Sequence, residues 1–107
     1  MHTAPPEIDI AITRWMAAQG WPVTSRNHDF NRDIFAWRSE SVRPDLTLYV
    51  TANVCEDTPP AKLLSYFAAA GLEKILRRDP DAYTLVLQNG RRELTIRQSA
   101  IRAGVDA

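Results

Sequence analysis

The sequence predicts a single α+β domain in which two helices cover one face of a twisted, mostly antiparallel sheet of four to five strands. Three observations predict this class. Apolar residues recur at helical spacing in two segments, a two-residue alternation runs through 45–54, and Asn89-Gly90 joins two further alternating runs. The expected order is α-β-β-β-α-β-β, within one domain that spans residues 1–107.

The first helix is expected at residues 6–19, after a stretch at 1–4 that is expected to fray. Pro6 suits its first turn because proline lacks the N–H that would be unpaired there, and Gly20 suits its end. The residues that form its apolar stripe are Ile8, Ala11, Ile12, Trp15 and Met16.

Three strands follow in the prediction, at residues 21–26, 33–40 and 45–54. Pro22 restricts the first strand to a sheet edge, because a central strand needs the N–H that proline lacks. Residues 27–32 are expected to form a polar turn between the first two strands. The alternation in the third strand predicts one core face and one more polar face. Its core face would carry Leu46, Leu48, Val50, Ala52 and Val54.

A second helix is expected from its N-cap at Thr58 to Arg78. Asp79-Pro80 would stop this helix, because the residue before a proline avoids the α region. Its apolar residues lie mostly at spacings of three and four, which is typical of a helix packed on a sheet.

A hairpin is expected at the C-terminal end. Residues 83–88 and 93–97 alternate in polarity and flank Asn89-Gly90, the dipeptide that favours a type I′ turn because both positions need positive φ. Residues 99–107 show little pattern and are expected to fray.

The composition argues against several classes of protein. The chain has 13 basic and 13 acidic residues, so no net charge attracts it to nucleic acid or to an anionic membrane. Its one cysteine excludes an intrachain disulfide, and we see neither a signal-peptide pattern nor a membrane-spanning run. We therefore expect a cytoplasmic, bacterial protein with no membrane partner. Its excess of arginine over lysine reflects either codon bias or a functional patch.

The densest cluster of reactive side chains lies in residues 27–33. His28, Asp29 and Asp33 are metal-ligand types, but their spacing matches no metal motif, and good turn formers explain the segment. Cys55 and His28 would make a nucleophilic pair if they met, but nothing in the sequence brings them together. We therefore expect no catalytic residue, no metal site and no cofactor.

Part of the chain resembles the core of restriction-endonuclease-like nucleases. The resemblance rests on the run Asp33-Ile-Phe-Ala-Trp, followed by the strand at 45–54 and a helix. That family places an Asp on one strand and a Glu-x-Lys pair on the next, to hold magnesium and a water. Asp33 would be the first acid, but Thr51 and Asn53 stand at the Glu and Lys positions. The resemblance therefore implies at most an inactive relative.

The order helix, strands, helix, strands is similar to that of the small chaperones of bacterial type III secretion. Those proteins dimerise and bind an extended segment of another protein along their sheet and helix surface. The similarity lies in element order and chain length, and this chain is neutral whereas that family tends to be acidic.

The face of the sheet that the alternation leaves outside is the predicted binding surface. It mixes polar residues with one tyrosine, and Tyr and Arg are frequent interface anchors. Trp21, beside Pro22, is expected to be partly exposed. The expected function is a non-enzymatic protein-binding domain, acting as an adaptor, chaperone-like or regulatory protein through this face and through homodimerisation. Its predicted binding residues are Tyr49, Thr51, Asn53, Arg97 and Trp21.

The alternative is a nucleic-acid-binding regulatory protein that uses the same sheet face. A tyrosine would stack on a base and arginines would hold phosphates. Its predicted binding residues are Arg38, Tyr49, Arg91, Arg92 and Arg97.

Overall fold

A computed structural model of the chain describes residues 4–31, 33–41 and 45–78, together with the strand backbone of 83–88 and 93–98. It contains five strands and four helices within these residues. In chain order they are α1 (Pro6–Ala18), β1 (Ser25–Asp29), β2 (Ile34–Ser39), β3 (Leu46–Thr51), α2 (Ala52–Asp57), α3 (Pro60–Ala70), α4 (Leu72–Arg78), β4 (Tyr83–Gln88) and β5 (Glu93–Gln98).

The five strands form one sheet in the order β1-β2-β3-β4-β5. β3 and β4 pair in parallel, and the other neighbouring strands pair antiparallel. The predicted α+β class is confirmed. The predicted order was wrong in one place, because three helices rather than one connect β3 to β4. This long connection returns the chain to the end of the sheet where β3 began, which parallel pairing requires.

The helices pack against one face of the sheet around a single core. The register sets Phe35 opposite Val50 and Trp37 opposite Leu48 on this face. The helical residues in the same core are Ile8, Ile12, Met16, Ala52, Val54, Cys55, Leu63, Phe67, Leu72 and Leu76. Burial of so much apolar surface is the main force that holds the layers together.

The predicted third strand, 45–54, extends three residues too far at its C-terminal end. β3 ends at Thr51, and Ala52–Asp57 forms α2. The backbone N–H of Ala52 donates to the carbonyl of Asp33 at 2.8 Å, where the pairing with β2 ends. Ala52 and Val54 are buried as predicted, because a short apolar run fits both the two-residue period of a strand and the 3.6-residue period of a helix.

The predicted second helix is two helices, α3 and α4. Gly71 separates them in the left-handed conformation, with φ 65° and ψ 34°. The N-cap position of α3 is Pro59 rather than the predicted Thr58. Thr58 is buried instead, and its N–H donates to the carbonyl of Val54.

The first strand begins four residues later and ends three residues later than predicted. It covers Ser25–Asp29, so residues 27–29 belong to β1 and not to the turn. Antiparallel pairing with β2 overrides the turn propensity of these residues.

Several sequence predictions fall outside the described residues. These are the Asp79-Pro80 helix stop, the Asn89-Gly90 hairpin turn, Arg91 and Arg92, and the fraying expected at 1–3 and 99–107.

Candidate protein-binding cleft

The two faces of the sheet carry different side chains near its β1 edge. The register sets Arg26 opposite Trp37 and His28 opposite Phe35, so these four side chains leave the sheet on the side of the helices. Tyr49 lies on the other face, which is the surface that the sequence predicts to bind a partner.

The predicted binding surface is only partly assembled. Tyr49 and Thr51 lie on it and are half-buried. In the backbone register, Tyr49 pairs with Thr84 on β4, and Thr84 pairs with Arg97 on β5. These three positions therefore lie in one row across the sheet. Asn53 lies on α2, so its predicted place on the sheet face was wrong. The chain turns into a helix directly after Thr51 and carries Asn53 away from the strand.

Among the arginines of the nucleic-acid alternative, Arg38 is the one whose side chain lies within the described residues. Arg38 is exposed on the predicted surface, and its Nη2 donates to Oδ2 of Asp45 at 2.5 Å. That hydrogen bond raises the pKa of Arg38, and the carboxylate balances the arginine's charge. Thr47, which lies opposite Arg38 in the register, is buried. Arg91 and Arg92 lie outside the described residues.

Trp21 is buried, with 5% of its surface exposed, so the prediction of partial exposure was wrong. The chain turns at Gly20, which has a φ of 95°, and brings the indole back against α1 and α4. The rings of Trp21 and Trp15 meet edge to face with 5.9 Å between their centroids. The guanidinium carbon of Arg77 lies 4.9 Å from the centroid of the Trp21 ring. Trp21 is therefore part of the core and does not contribute to an exposed binding surface.

A cleft of about 470 Å³ opens between the first turns of α1 and the edge pair β1–β2. Most of its lining is apolar or aromatic, and a few polar groups lie along one side. The side chains that define it are Asp9, Arg26, His28, Phe30, Phe35 and Trp37.

The polar side of the cleft is organised around one carboxylate oxygen. Oδ1 of Asp9 accepts a hydrogen bond from Nε1 of Trp37 at 2.8 Å and another from Nε of Arg26 at 2.6 Å. Nη2 of Arg26 also donates to the hydroxyl of Thr13 at 3.0 Å. These bonds fix the guanidinium plane across the gap between α1 and β1.

The aromatic side of the cleft is built around His28. Its ring stacks on Phe35 with 4.5 Å between centroids and makes an edge contact of 4.2 Å with Phe30. Nε2 of His28 lies 3.0 Å from Oδ1 of Asp33. The side chain of His28 is only 6% exposed, whereas Phe30 is 71% exposed. Phe30 therefore forms the exposed aromatic edge of the cleft and packs against the buried ring of His28.

Among the described residues, no three or more His, Cys, Asp and Glu side chains form a group that could hold a metal ion. Burial raises the pKa of the Cys55 thiol to about 12, so it is not a thiolate nucleophile near neutral pH. Asp33, the first acid of the nuclease resemblance, binds His28, and Asn53 stands on a helix instead of the neighbouring strand.

Sequence reasoning missed this cleft because it assigned residues 27–32 to a turn. The signal for the cleft was the two-residue spacing of Arg26, His28 and Phe30, which is the period of a strand. Polar alternation is a weaker signal than apolar alternation, because it does not identify a buried face.

Comparison of the chain with protein-family models, curated proteins and solved structures gave no match. None of the helices within the described ranges is both long enough and apolar enough to cross a membrane. The function is therefore inferred from the surfaces of the chain itself.

Proposed function

We propose that this chain is a non-enzymatic, cytoplasmic protein-binding domain of the adaptor, chaperone-like or regulatory kind, which works as a homodimer. It binds an extended segment of a partner protein at the β1 edge, with an apolar side chain of that segment in the cleft. The observation that carries the proposal is the aromatic cleft beside an edge strand.

The edge strand supplies main-chain hydrogen bonds. Among the described strands, β1 stands at the end of the strand order and has a neighbour on one side only. An edge strand carries backbone N–H and C=O groups on its outer side, and an added strand can pair with such groups. β1 has five residues, all polar or charged, and a short polar edge of this kind resists uncontrolled aggregation.

The cleft supplies an anchor for a side chain. Arg is among the residue types that contribute most to binding energy, and the exposed Arg26 is held here by Asp9. Trp37 is 1% exposed, so it supports the cleft from the core. Phe30 exposes a large apolar ring, and covering that ring on binding is favourable by about 25 cal/mol per Å². The cleft volume of about 470 Å³ lies within the range of sites that take compact ligands.

The sheet face with Tyr49 is the second candidate surface for the same function. Tyr49 and Thr51 stand side by side in the sheet with the Arg97 position two strands away. The ion pair between Arg38 and Asp45 lowers the positive charge available to a phosphate backbone, which favours a protein partner over a nucleic acid.

The proposal is tested by selecting binders from a phage-displayed library of random twelve-residue peptides. The expected result is a set of selected peptides with alternating apolar residues, which bind wild-type protein in fluorescence anisotropy. Phe30→Ala is expected to weaken their binding by about tenfold or more, because it removes the exposed aromatic ring at the edge of the cleft.

Tyr49→Ala is the matched variant on the sheet face. Loss of binding with Tyr49→Ala alone would move the site from the cleft to the sheet face and leave the protein-binding class intact. Failure to select any peptide, together with binding of single-stranded oligonucleotides that weakens as salt rises, would replace the proposal by the nucleic-acid alternative.

A further inference from the structure

A second depression lies on the helical side of the molecule, between α1 and α3. Its volume is about 560 Å³, and its lining is mostly apolar. Ile10 projects from α1 into this groove and is 49% exposed, while Asp9, its neighbour in the sequence, faces the cleft on the other side. α1 therefore separates two distinct surfaces. The residues of this α1–α3 groove are Glu7, Ile10, Ala11, Arg14, Trp15, Pro60 and Leu64.

The floor of the α1–α3 groove is rigid. The ring of Trp15 meets those of Phe67 and Trp21 edge to face, with centroid separations of 5.0 Å and 5.9 Å. The Trp15 ring is therefore held from two sides. A rigid aromatic surface loses little conformational entropy when a partner covers it. The α1–α3 groove is thus organised before binding.

The charges along the groove are arranged symmetrically about Ile10 and Ala11. Glu7 and Arg14 are seven residues apart, which sets them on the same side of α1 at a separation of about 10.5 Å. Their midpoint falls between Ile10 and Ala11. Within the described part of the chain, neither Glu7 nor Arg14 makes a side-chain hydrogen bond or an ion pair.

This pattern is self-complementary. In a two-fold interface, a contact between one residue of the first copy and a different residue of the second copy is repeated with the copies exchanged. If two α1 helices cross antiparallel with the axis between Ile10 and Ala11, Glu7 of each copy meets Arg14 of the other. Such a dimer contains two Glu7–Arg14 ion pairs, one on each side of the apolar centre formed by Ile10 and Ala11.

We propose that the α1–α3 groove is the homodimer interface and that its occupant is the α1 helix of a second copy of this chain. The inference rests on the dimerisation part of the proposed function. A second copy is favoured over an unrelated partner because one charge pattern satisfies both sides of the contact. The cleft and the β1 edge remain open in such a dimer, because they lie on the other side of α1.

Charge reversal tests the interface by sedimentation equilibrium. Wild-type protein is expected to dimerise, and Glu7→Arg or Arg14→Glu is expected to raise the dimer dissociation constant by about tenfold or more. Equimolar mixing of the two single variants is expected to restore the dimer, because one chain then carries two positive and the other two negative charges on this face. The double variant Glu7→Arg/Arg14→Glu is expected to dimerise as well.

Two further variants complete the test. Ile10→Asp places a charge at the proposed axis and is expected to give monomers. Lys74→Glu changes an exposed charge outside the groove and is expected to leave the dimer unchanged. Circular dichroism melting of each variant confirms that the fold is kept.

The outcomes separate the two proposals. A wild-type dimer that all groove variants leave intact would overturn the interface while leaving the proposed dimerisation in place. A wild-type monomer at every concentration would overturn both the interface and the dimerisation part of the proposed function. Single variants that fail to associate on mixing would show that Glu7 and Arg14 do not face each other.

Discussion

Nε1 of Trp37 donates a hydrogen bond to Oδ1 of Asp9 across 2.8 Å and so ties β2 to the first turns of α1. The same oxygen accepts from Nε of Arg26 on the edge strand. One carboxylate thus joins a helix, a central strand and an edge strand. Because these three elements line the cleft, its shape depends on this contact.

We expect Asp9→Ala to lower the free energy of unfolding by about 1–3 kcal/mol, because it leaves the indole N–H of Trp37 without its acceptor in a buried position. Urea titration measures the loss. Lys74→Ala, at an exposed position outside both the cleft and the α1–α3 groove, is expected to stay within about 0.5 kcal/mol of wild type. Asp9→Asn keeps an oxygen acceptor, so a loss as large as that of Asp9→Ala would contradict the role given to the hydrogen bond.

The element types could be predicted from the sequence where one periodicity was unambiguous. α1 follows from its apolar stripe, and β2 follows from alternation around Trp37. The end of β3 could not be predicted, because Ala52 and Val54 suit the buried side of a strand and of a short helix equally. The parallel pairing of β3 with β4 depends on the path of three helices, which no local pattern encodes.

The candidate site was less predictable than the fold. The cleft joins Asp9 to Arg26 and His28 across 17 and 19 positions of sequence, so only tertiary packing brings it together. Sequence alternation did identify the face that holds Tyr49 and Thr51. It misjudged Trp21, because a residue beside proline at a helix exit gives no information on what packs over it.

Gly71 is expected to resist replacement because of its backbone conformation. Its φ of 65° lies in the left-handed region, which costs a residue with a Cβ about 1–2 kcal/mol. An added Cβ would meet open space, so the cost of Gly71→Ala comes from the backbone and not from a clash. Thermal unfolding should show a lower midpoint for Gly71→Ala and a smaller decrease for Gly71→Asn, because asparagine tolerates this region better. Equal stability of Gly71→Ala and wild type would refute the explanation.

Arg77 is expected to stabilise the fold more than its neighbour Arg78. Its guanidinium lies 4.9 Å from the ring centre of Trp21, and its Nη2 donates to the carbonyl of Gln19 at 3.0 Å. Arg77→Ala should therefore lower the unfolding free energy by about 1 kcal/mol in urea titration. Arg78→Ala is the control, because it removes a similar charge from the same helix end but no described contact. Equal losses for both would assign the effect to the helix dipole.

Cys55 gives the chain a dependence on alkaline pH whose sign follows from its burial. Burial in the core raises the pKa of this thiol to about 12, and the negative charge of Glu56 adds to the increase. In the unfolded chain the thiol ionises near pH 8.5, so above about that pH the unfolded state binds fewer protons than the folded state. Folding stability is therefore complete below about pH 8.5 and falls as the pH rises toward 12.

The size of this effect is measurable by comparison with Cys55→Ala. Each pH unit within the window lowers wild-type stability by about 1.4 kcal/mol through this group alone. Between pH 9 and pH 10.5 the unfolding free energy of wild type should therefore fall by about 2 kcal/mol more than that of Cys55→Ala, since other titrating groups are shared. The native thiol should also react with iodoacetamide only at the rate of unfolding. Parallel pH profiles of the two proteins, together with rapid native alkylation, would show that the thiol ionises in the folded state and that the core around α2 is open to solvent.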